Sequence, residues 1–241
     1  KADDYVLAPA VCQFSKRSFY LVHDVTALLQ PGKNVIALVL GRGWYSEGLP
    51  GVVYKGPLVR AQLELGATTS IATGADWKAH QGDRSRIGTW HSGEYGGERL
   101  EAARAVPGWN APGFDDAGWP NAAVVEVPAH TVSAQPVEPN RIQRTFAPVS
   151  VKAFGKKDWL IDFGTNLSGL FEIRLHGLRP KQKVFFIFGD RIDGDELDDF
   201  SQRSEYFNDA GDSGTFRNLF NYHAFRYVQI QGLEAKPDAG D

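Results

Sequence analysis

Residues 171–188, FEIRLHGLRPKQKVFFIF, carry the pattern that decides the fold. Phe171, Ile173 and Leu175 alternate with charged residues, and this period of two is typical of a β-strand with one buried face. The sequence HGLRP at 176–180 breaks the pattern as a turn or short loop. The apolar run at 184–188 then predicts a second strand that lies in the core. The segment is therefore predicted to be two strands of a buried β-sheet.

Strand signals recur along the rest of the chain, whereas helix signals are poor. Residues 35–40, VIALVL, predict a core strand that ends at Gly41, residues 58–65 alternate between apolar and polar positions, and residues 225–231 close the series. The segment 25–29 is long enough for only one helical turn. Short strands separated by glycine and proline predict an all-β protein made of two β-sandwich domains.

Composition and charge exclude several classes of function. The 241 residues are 42% hydrophobic and 23% charged, with a net charge of −3. These values indicate a globular protein without the basic surface that nucleic acid or an anionic membrane would require. The longest apolar run, at 35–40, is too short to cross a bilayer.

The cysteine and methionine content gives two further expectations. Cys12 is the only cysteine, so an internal disulfide and a cysteine-rich zinc site are both excluded. This leaves the compartment open, and a periplasmic or extracellular location is slightly favoured over the cytoplasm. The chain contains no methionine and begins abruptly, so we expect a first domain truncated at its start.

The domain boundary is predicted from a cluster of prolines. Pro128, Pro136, Pro139 and Pro148 crowd a stretch with few strand signals, which predicts an extended linker near 128–150. The first domain is accordingly placed at 1–150 and the second at 151–235. Residues 236–241 form a polar tail that we expect to lead into a missing domain.

The first candidate binding residues follow two glycines. Gly41 and Gly43 free the backbone for a tight bend, and the bend is predicted to expose the adjacent pair Trp44 and Tyr45. An exposed indole suits the apolar C–H face of a sugar ring. The alternative is that Trp44 only fills the end of the sandwich.

The second candidate is Glu98, which follows the Gly96-Gly97 pair in the loop 95–104. A carboxylate can accept hydrogen bonds from two neighbouring sugar hydroxyls or bind a bridging Ca²⁺. The alternative is a Glu–Arg ion pair that holds the loop. No cofactor is expected to be required, with Ca²⁺ as an optional ligand.

No catalytic or metal-binding constellation is predicted. The acidic run at 190–199 lacks the spacing of an EF-hand and is interpreted as a solvated hairpin loop. The six histidines are scattered, and His223 lies in a strand-like segment, where a structural role is expected. The aromatic segment GWNAPGFDDAGW at 108–119 is interpreted as a loop anchored on the sandwich surface.

Five motifs in order give a family resemblance over nearly the whole chain. The sequences DFG.NL.G at 162–169 and F.YH.FRYV at 220–228 resemble a signature of bacterial α-L-rhamnosidases, glycoside hydrolase family 78. The motifs at 43–46 (GWYS), 95–102 (YGGERLEA) and 108–119 precede them in the order that the family shows.

The resemblance implies a galactose-binding-like jelly roll followed by a concanavalin-like sandwich. It also implies that the catalytic (α/α)₆ barrel, which carries the acid and base of an inverting hydrolysis, lies outside this chain. The implied role is a non-catalytic, carbohydrate-binding scaffold whose partners are a rhamnose-containing glycan or glycoside and its own catalytic domain. The alternatives are a free-standing sugar-binding protein and a structural sandwich pair from a β-galactosidase-like enzyme.

Overall fold

The structure is a computed structural model, and it describes residues 1–91, 93–126, 129–238 and 240. Pro128 of the predicted linker and Ala239 and Asp241 of the predicted tail lie outside the described residues. Secondary structure is almost entirely β. The strands are β1 Arg17–Tyr20, β2 Gln62–Leu65, β3 Thr69–Ala72, β4 Arg84–Ile87, β5 Gly97–Glu101, β6 Thr131–Ala134, β7 Ser150–Phe154, β8 Asp158–Gly169, β9 Glu172–His176, β10 Lys183–Gly189, β11 Arg191–Asp193, β12 Glu196–Asp198, β13 Arg203–Phe207, β14 Ser213–Arg217 and β15 His223–Gln231.

Among the described residues, the helical segments are three single turns of 3₁₀-helix, at Thr26–Leu28, Trp44–Ser46 and Ala102–Arg104. The first falls within the predicted turn at 25–29, where the carboxylate of Asp24 accepts a hydrogen bond from the backbone N–H of Thr26 at 2.9 Å. The all-β prediction is confirmed. None of the described helices has the length and apolar character needed to cross a membrane.

The chain divides into two compact units. Unit 1 comprises residues 1–81 and 106–141, and unit 2 comprises residues 82–105 and 142–241. The segment 82–105 groups with unit 2 because it contains β4 and β5, which pair with each other, and β5 also pairs with β13. The sequence analysis places this segment in a first domain of residues 1–150. The predicted domains and the observed units differ here because the pairing of β5 with β13 connects distant parts of the chain.

Unit 2 contains a seven-stranded sheet with the order β4-β5-β13-β10-β15-β8-β7. Neighbouring strands are antiparallel except for β5 and β13, which are parallel. A second, two-stranded sheet is formed by β9 and β14. The long strands β8 and β15 pair over most of their length, with an irregularity between Phe225 and Tyr227.

The core of unit 2 lies between these two sheets. Along β10 the side chains of Val184, Phe186 and Phe188 are fully buried, whereas the intervening Phe185 and Ile187 are half-buried. The same core contains Ile173, Leu175 and Phe216 from the second sheet and, from the neighbouring strand β15, Val228 and Ile230. Full burial of each such side chain contributes roughly 1.5–3 kcal/mol to folding, so the alternating pattern accounts for the sandwich.

Unit 1 is built from shorter elements. It contains the parallel pair β1–β6 and the hairpin β2–β3. The isolated bridges Tyr5↔Arg141 and Lys78↔Asn121 connect more distant segments. An aromatic group surrounds Trp119, whose ring stacks with His80 at 4.6 Å and meets Phe114 edge-on at 5.4 Å. Asp115 accepts a hydrogen bond from Ala117 N–H at 3.1 Å, as expected for the loop anchor at 108–119.

The predicted core strand at 35–40 is wrong. Those residues lie outside the assigned strands, and Val35, Ile36 and Val39 are 44%, 40% and 59% exposed. The predicted strand at 58–65 is reduced to Gln62–Leu65. An apolar run specifies burial only where a neighbouring strand and an opposite layer accept it, and at 35–40 no strand pairing is assigned among the described residues.

Candidate functional site

Trp44 and Tyr45 lie where the sequence predicts a glycine bend. Gly43 has φ +53°, a conformation that a residue without Cβ adopts at little cost, and the turn Trp44–Ser46 begins directly after it. The hydroxyl oxygen of Ser46 lies 3.3 Å from the backbone carbonyl oxygens of both Arg42 and Lys55, which share its single proton. The turn is therefore held from two sides.

The two aromatic rings of this turn differ in environment. The side chain of Trp44 is 43% exposed, whereas Tyr45 is half-buried and meets Phe14 edge-on at 5.1 Å. The tyrosine therefore anchors the turn in unit 1, and the indole has surface open to solvent. An exposed aromatic surface on an anchored turn is suited to contact with the C–H face of a sugar.

Glu98 belongs to unit 2 and is buried, with 3% exposure. Its Oε1 accepts backbone hydrogen bonds from Phe220 and Asn221 at 2.6 and 2.7 Å, and Leu219 N–H is 3.1 Å from both carboxylate oxygens. Arg84 completes the shell through an ion pair of 3.3 Å. A sugar that bound to this carboxylate would have to displace these donors.

The Glu–Arg ion pair that the sequence left as the alternative for this loop is therefore present. Sugar contact by Glu98 stays a prediction. The three candidate residues fall into different units, with Trp44 and Tyr45 in unit 1 and Glu98 in unit 2, and each has its own local geometry.

His223 lies in a buried polar network that does not include the binding residues Trp44 and Tyr45 predicted from the sequence. His223 is 1% exposed, and its Nε2 lies 3.1 Å from Ser204 Oγ and 3.3 Å from Asn221 Nδ2. The Ser204 oxygen itself accepts hydrogen bonds from Asn218 Nδ2 and Glu98 N–H, which leaves the hydroxyl proton for His223. Burial lowers the pKa of His223 to about 3, so the imidazole is neutral and serves as an acceptor.

This network includes a serine, a histidine and a carboxylate, but its geometry indicates a structural role and not a catalytic one. Glu98 is bonded to backbone N–H groups of residues 219–221 and to Arg84, and Ser204 is fully buried. A nucleophile needs access to substrate and a base that can accept its proton. Here the base has a strongly lowered pKa, so the cluster fixes β5, β13 and β15 to one another.

The motif at 162–169 forms one wall of a surface groove in unit 2. The groove has a volume of about 610 Å³ and lies between residues 144–149 and residues 163–166. Gly164 has φ +75°, and its N–H donates to Asp162 Oδ1 at 2.7 Å. Arg226 binds the same carboxylate through two contacts of 2.9 and 3.1 Å.

This double contact fixes the base of the groove wall. The hydrogen bond from Arg226 is the main reason that the pKa of Asp162 is lowered. The carboxylate of Asp162 is therefore already bound by Arg226 and by the N–H of Gly164, and these contacts hold the bend of the motif in place.

The acidic run at 190–199 forms the hairpin β11–β12, as expected for a solvated loop, with Arg191 paired to Asp198 at 2.7 Å. Within the described ranges, no group of three or more His, Cys, Asp or Glu side chains is arranged to hold a metal ion.

Two family models account for the chain in order. Residues 1–144 match the alpha-L-rhamnosidase N-terminal domain. Residues 152–241 match the bacterial alpha-L-rhamnosidase concanavalin-like domain.

Curated relatives give the same result. An alpha-L-rhamnosidase of Formosa agariphila is 24% identical across 99% of this chain and 27% of its own length. One of Streptomyces avermitilis is 28% identical across 96% of the chain and 23% of its own length. The chain thus spans about a quarter of the length of these relatives.

Solved structures share the fold. The alpha-L-rhamnosidase of Dictyoglumus thermophilum superposes with a TM-score of 0.81 at 22% identity, over 100% of this chain and 27% of that one. The Streptomyces avermitilis enzyme complexed with L-rhamnose gives 0.82 at 24% identity, over 99% and 24%. With both of its regions matched, the chain belongs to the bacterial alpha-L-rhamnosidase family.

Proposed function

We propose that this chain is a non-catalytic region of an α-L-rhamnosidase, in which unit 1 binds carbohydrate and unit 2 is a scaffold for the catalytic domain. The observation that carries the binding role is the 43% exposure of Trp44 on a turn held by Ser46 and Tyr45. L-Rhamnose has an apolar methyl group and C–H face that an indole can cover. The Streptomyces avermitilis relative, solved with L-rhamnose, supports the choice of sugar.

The scaffold role is supported by the use of buried carboxylates in unit 2. The carboxylate of Glu98 accepts hydrogen bonds from backbone N–H groups and forms an ion pair with Arg84. Glu205, with 2% exposure, pairs with Arg99 at 2.6 Å and with Arg203 at 3.5 Å. Both carboxylates therefore stabilise the sandwich. Hydrolysis of a glycoside needs a solvent-facing acid and base, and we assign those to a separate domain.

Calorimetric titration of the chain with L-rhamnose tests the binding role. We expect saturable binding at millimolar sugar for the natural sequence and its loss in Trp44→Ala. Tyr20→Ala is the matched control, because Tyr20 is an aromatic residue of unit 1 with 46% exposure. Binding that persists unchanged in Trp44→Ala, or no heat with and without Ca²⁺, would remove the binding role.

We propose further that the complete protein hydrolyses terminal α-L-rhamnosides. Expression of the full reading frame and assay of rhamnose release from an aryl α-L-rhamnoside tests this activity. The scaffold role predicts that the chain of 241 residues is inactive when assayed alone and that the longer protein is active.

A further inference from the structure

We propose that the groove between residues 144–149 and 163–166 of unit 2 binds a uronic acid, that is, a sugar ring that carries a carboxylate. This site is separate from the rhamnose site proposed for unit 1 and does not depend on it. The groove volume of about 610 Å³ lies within the range of roughly 300–1,000 Å³ typical of small-molecule sites.

Charge selects the class of ligand. Among the described residues that line the groove, Arg144 is the one charged side chain. Its guanidinium lies 4.6 Å from the centroid of the Phe146 ring, and in the described part of the chain no carboxylate forms an ion pair with it. Asp162, just behind the wall, is already bound by Arg226 and Gly164. A planar guanidinium with its donors available matches a carboxylate.

The remaining lining suits a sugar ring. Phe163 is half-buried and fixed against Phe225, with ring centroids 5.6 Å apart and an angle of 80° between the planes. Thr165 and Asn166 are exposed on β8 next to it and offer a hydroxyl and an amide. Aromatic carbon together with a few polar groups is the combination found in sugar sites. A simple anion would use the arginine alone.

Backbone contacts connect the two sides of the groove. A Cβ on Gly164 would lie 3.1 Å from Val149 Cγ1, so the two sides of the groove meet closely at this glycine. The backbone N–H of Val149 also donates to the carbonyl of Asp162 at 2.8 Å. The two segments that line the groove are thus connected at the end where Val149 meets Gly164.

The experiment is a titration of the 241-residue chain with glucuronate, followed by calorimetry and by ¹⁵N-labelled NMR. Glucose and acetate serve as the neutral-sugar and simple-anion comparisons. We expect glucuronate to bind at millimolar concentration and to perturb residues 163–166, and we expect the affinity to fall about tenfold or more in Arg144→Gln. Arg174→Gln is the matched control, because it removes the same charge from an exposed position on β9.

Three outcomes would overturn the proposal: equal binding of glucose and glucuronate, equal binding of acetate and glucuronate, or unchanged glucuronate affinity in Arg144→Gln. The comparison of ligands on the natural sequence holds even if the variant fails to fold. Failure here is distinguishable from failure of the rhamnose site, since Arg144→Gln leaves the rhamnose response unchanged and Trp44→Ala leaves the glucuronate response unchanged.

Discussion

The imidazole of His223 stacks on the ring of Phe188, with centroids 3.9 Å apart and an angle of 11° between the planes. One face of the histidine is therefore covered by core carbon, while its Nε2 is held by Ser204 and Asn221. Because Glu98 N–H bonds to the same Ser204 oxygen, this one histidine links the hydrophobic core to the carboxylate that fixes residues 219–221. Two of the family motifs, at 95–102 and 220–228, meet at this point.

The first prediction concerns acid stability. Burial lowers the pKa of His223 from an ordinary 6.5 to about 3 in the folded chain. Between these two values the imidazole is protonated in the unfolded chain and neutral in the folded chain. Its contribution to stability is present above pH 6.5 and is lost as the pH falls from 6.5 towards 3, by an amount on the order of 1 kcal/mol per pH unit. The measurement is the free energy of unfolding in urea at pH 7.5, 6 and 5.

His223→Gln is the control for this pH dependence. Glutamine keeps a hydrogen-bonding group but does not titrate, so the variant should be less stable at pH 7.5 and should lose less stability on acidification. Parallel pH profiles for the two proteins would contradict the assignment to His223.

The second prediction separates the two roles considered for Glu98. Glu98→Gln places an amide NH₂ among backbone donors and leaves Arg84 without its carboxylate, so we expect a loss of about 2–4 kcal/mol in the free energy of unfolding. Glu196→Gln, on the exposed hairpin, is the control and should change stability by less than about 0.5 kcal/mol. If Glu98→Gln leaves stability intact and abolishes rhamnose binding, the carboxylate is a sugar ligand instead.

The third prediction tests the packing between the two sheets of unit 2. Phe186 is fully buried and lies 4.8 Å from the Phe216 ring. Phe186→Ala should therefore destabilise the chain by about 3–5 kcal/mol through the cavity that it creates. Tyr222→Ala removes a ring that is 54% exposed and should have little effect on the urea midpoint. Similar midpoints for the two variants would show that the sheets do not pack as described.

The fourth prediction concerns the glycine of the signature motif. Gly164→Ala introduces a Cβ at φ +75° that meets Val149 at 3.1 Å, whereas Gly194→Ala at φ +59° meets no atom within 4 Å. The backbone conformation costs both variants about 1 kcal/mol, and Gly164→Ala should cost more because of the contact. Equal shifts of the denaturation midpoint in the two variants would show that the contact with Val149 does not add to the cost of Gly164→Ala.

The β-sandwich of unit 2 follows from local patterns in the sequence. The alternation at Phe171, Ile173 and Leu175 and the apolar run at 184–188 became β9 and β10, with their apolar side chains in one core. The patterns at β9 and β10 succeed because each of these strands has a paired neighbour and contributes to the core between the two sheets, so that apolar character and burial coincide.

The same reasoning failed at 35–40, because an apolar run does not encode which segment will pair with it. Pairings over long sequence distances were equally hidden. Glu98 receives N–H groups from residues that lie 121 to 123 positions further along the chain, and no local spacing signals that encounter. The sequence offered Glu98 as a sugar ligand or as the partner of an arginine, and only the fold shows which groups surround its carboxylate.

The groove illustrates a different limit. The motif at 162–169 was informative as a family signature. Only the structure shows that its glycine bend lies opposite Val149 and Arg144 and lines a groove with them. Arg144 lies in the proline-rich stretch that the sequence indicates only as a linker.

The proposal that this chain binds rhamnosides and does not hydrolyse them is tested most directly by saturation-transfer NMR on an aryl α-L-rhamnoside mixed with the 241-residue protein. We expect transfer of signal to the C–H and methyl protons of the sugar, its loss in Trp44→Ala, and no anomeric signal of free rhamnose on prolonged incubation. Release of free rhamnose by the purified chain, or no transfer to the sugar at all, would contradict it.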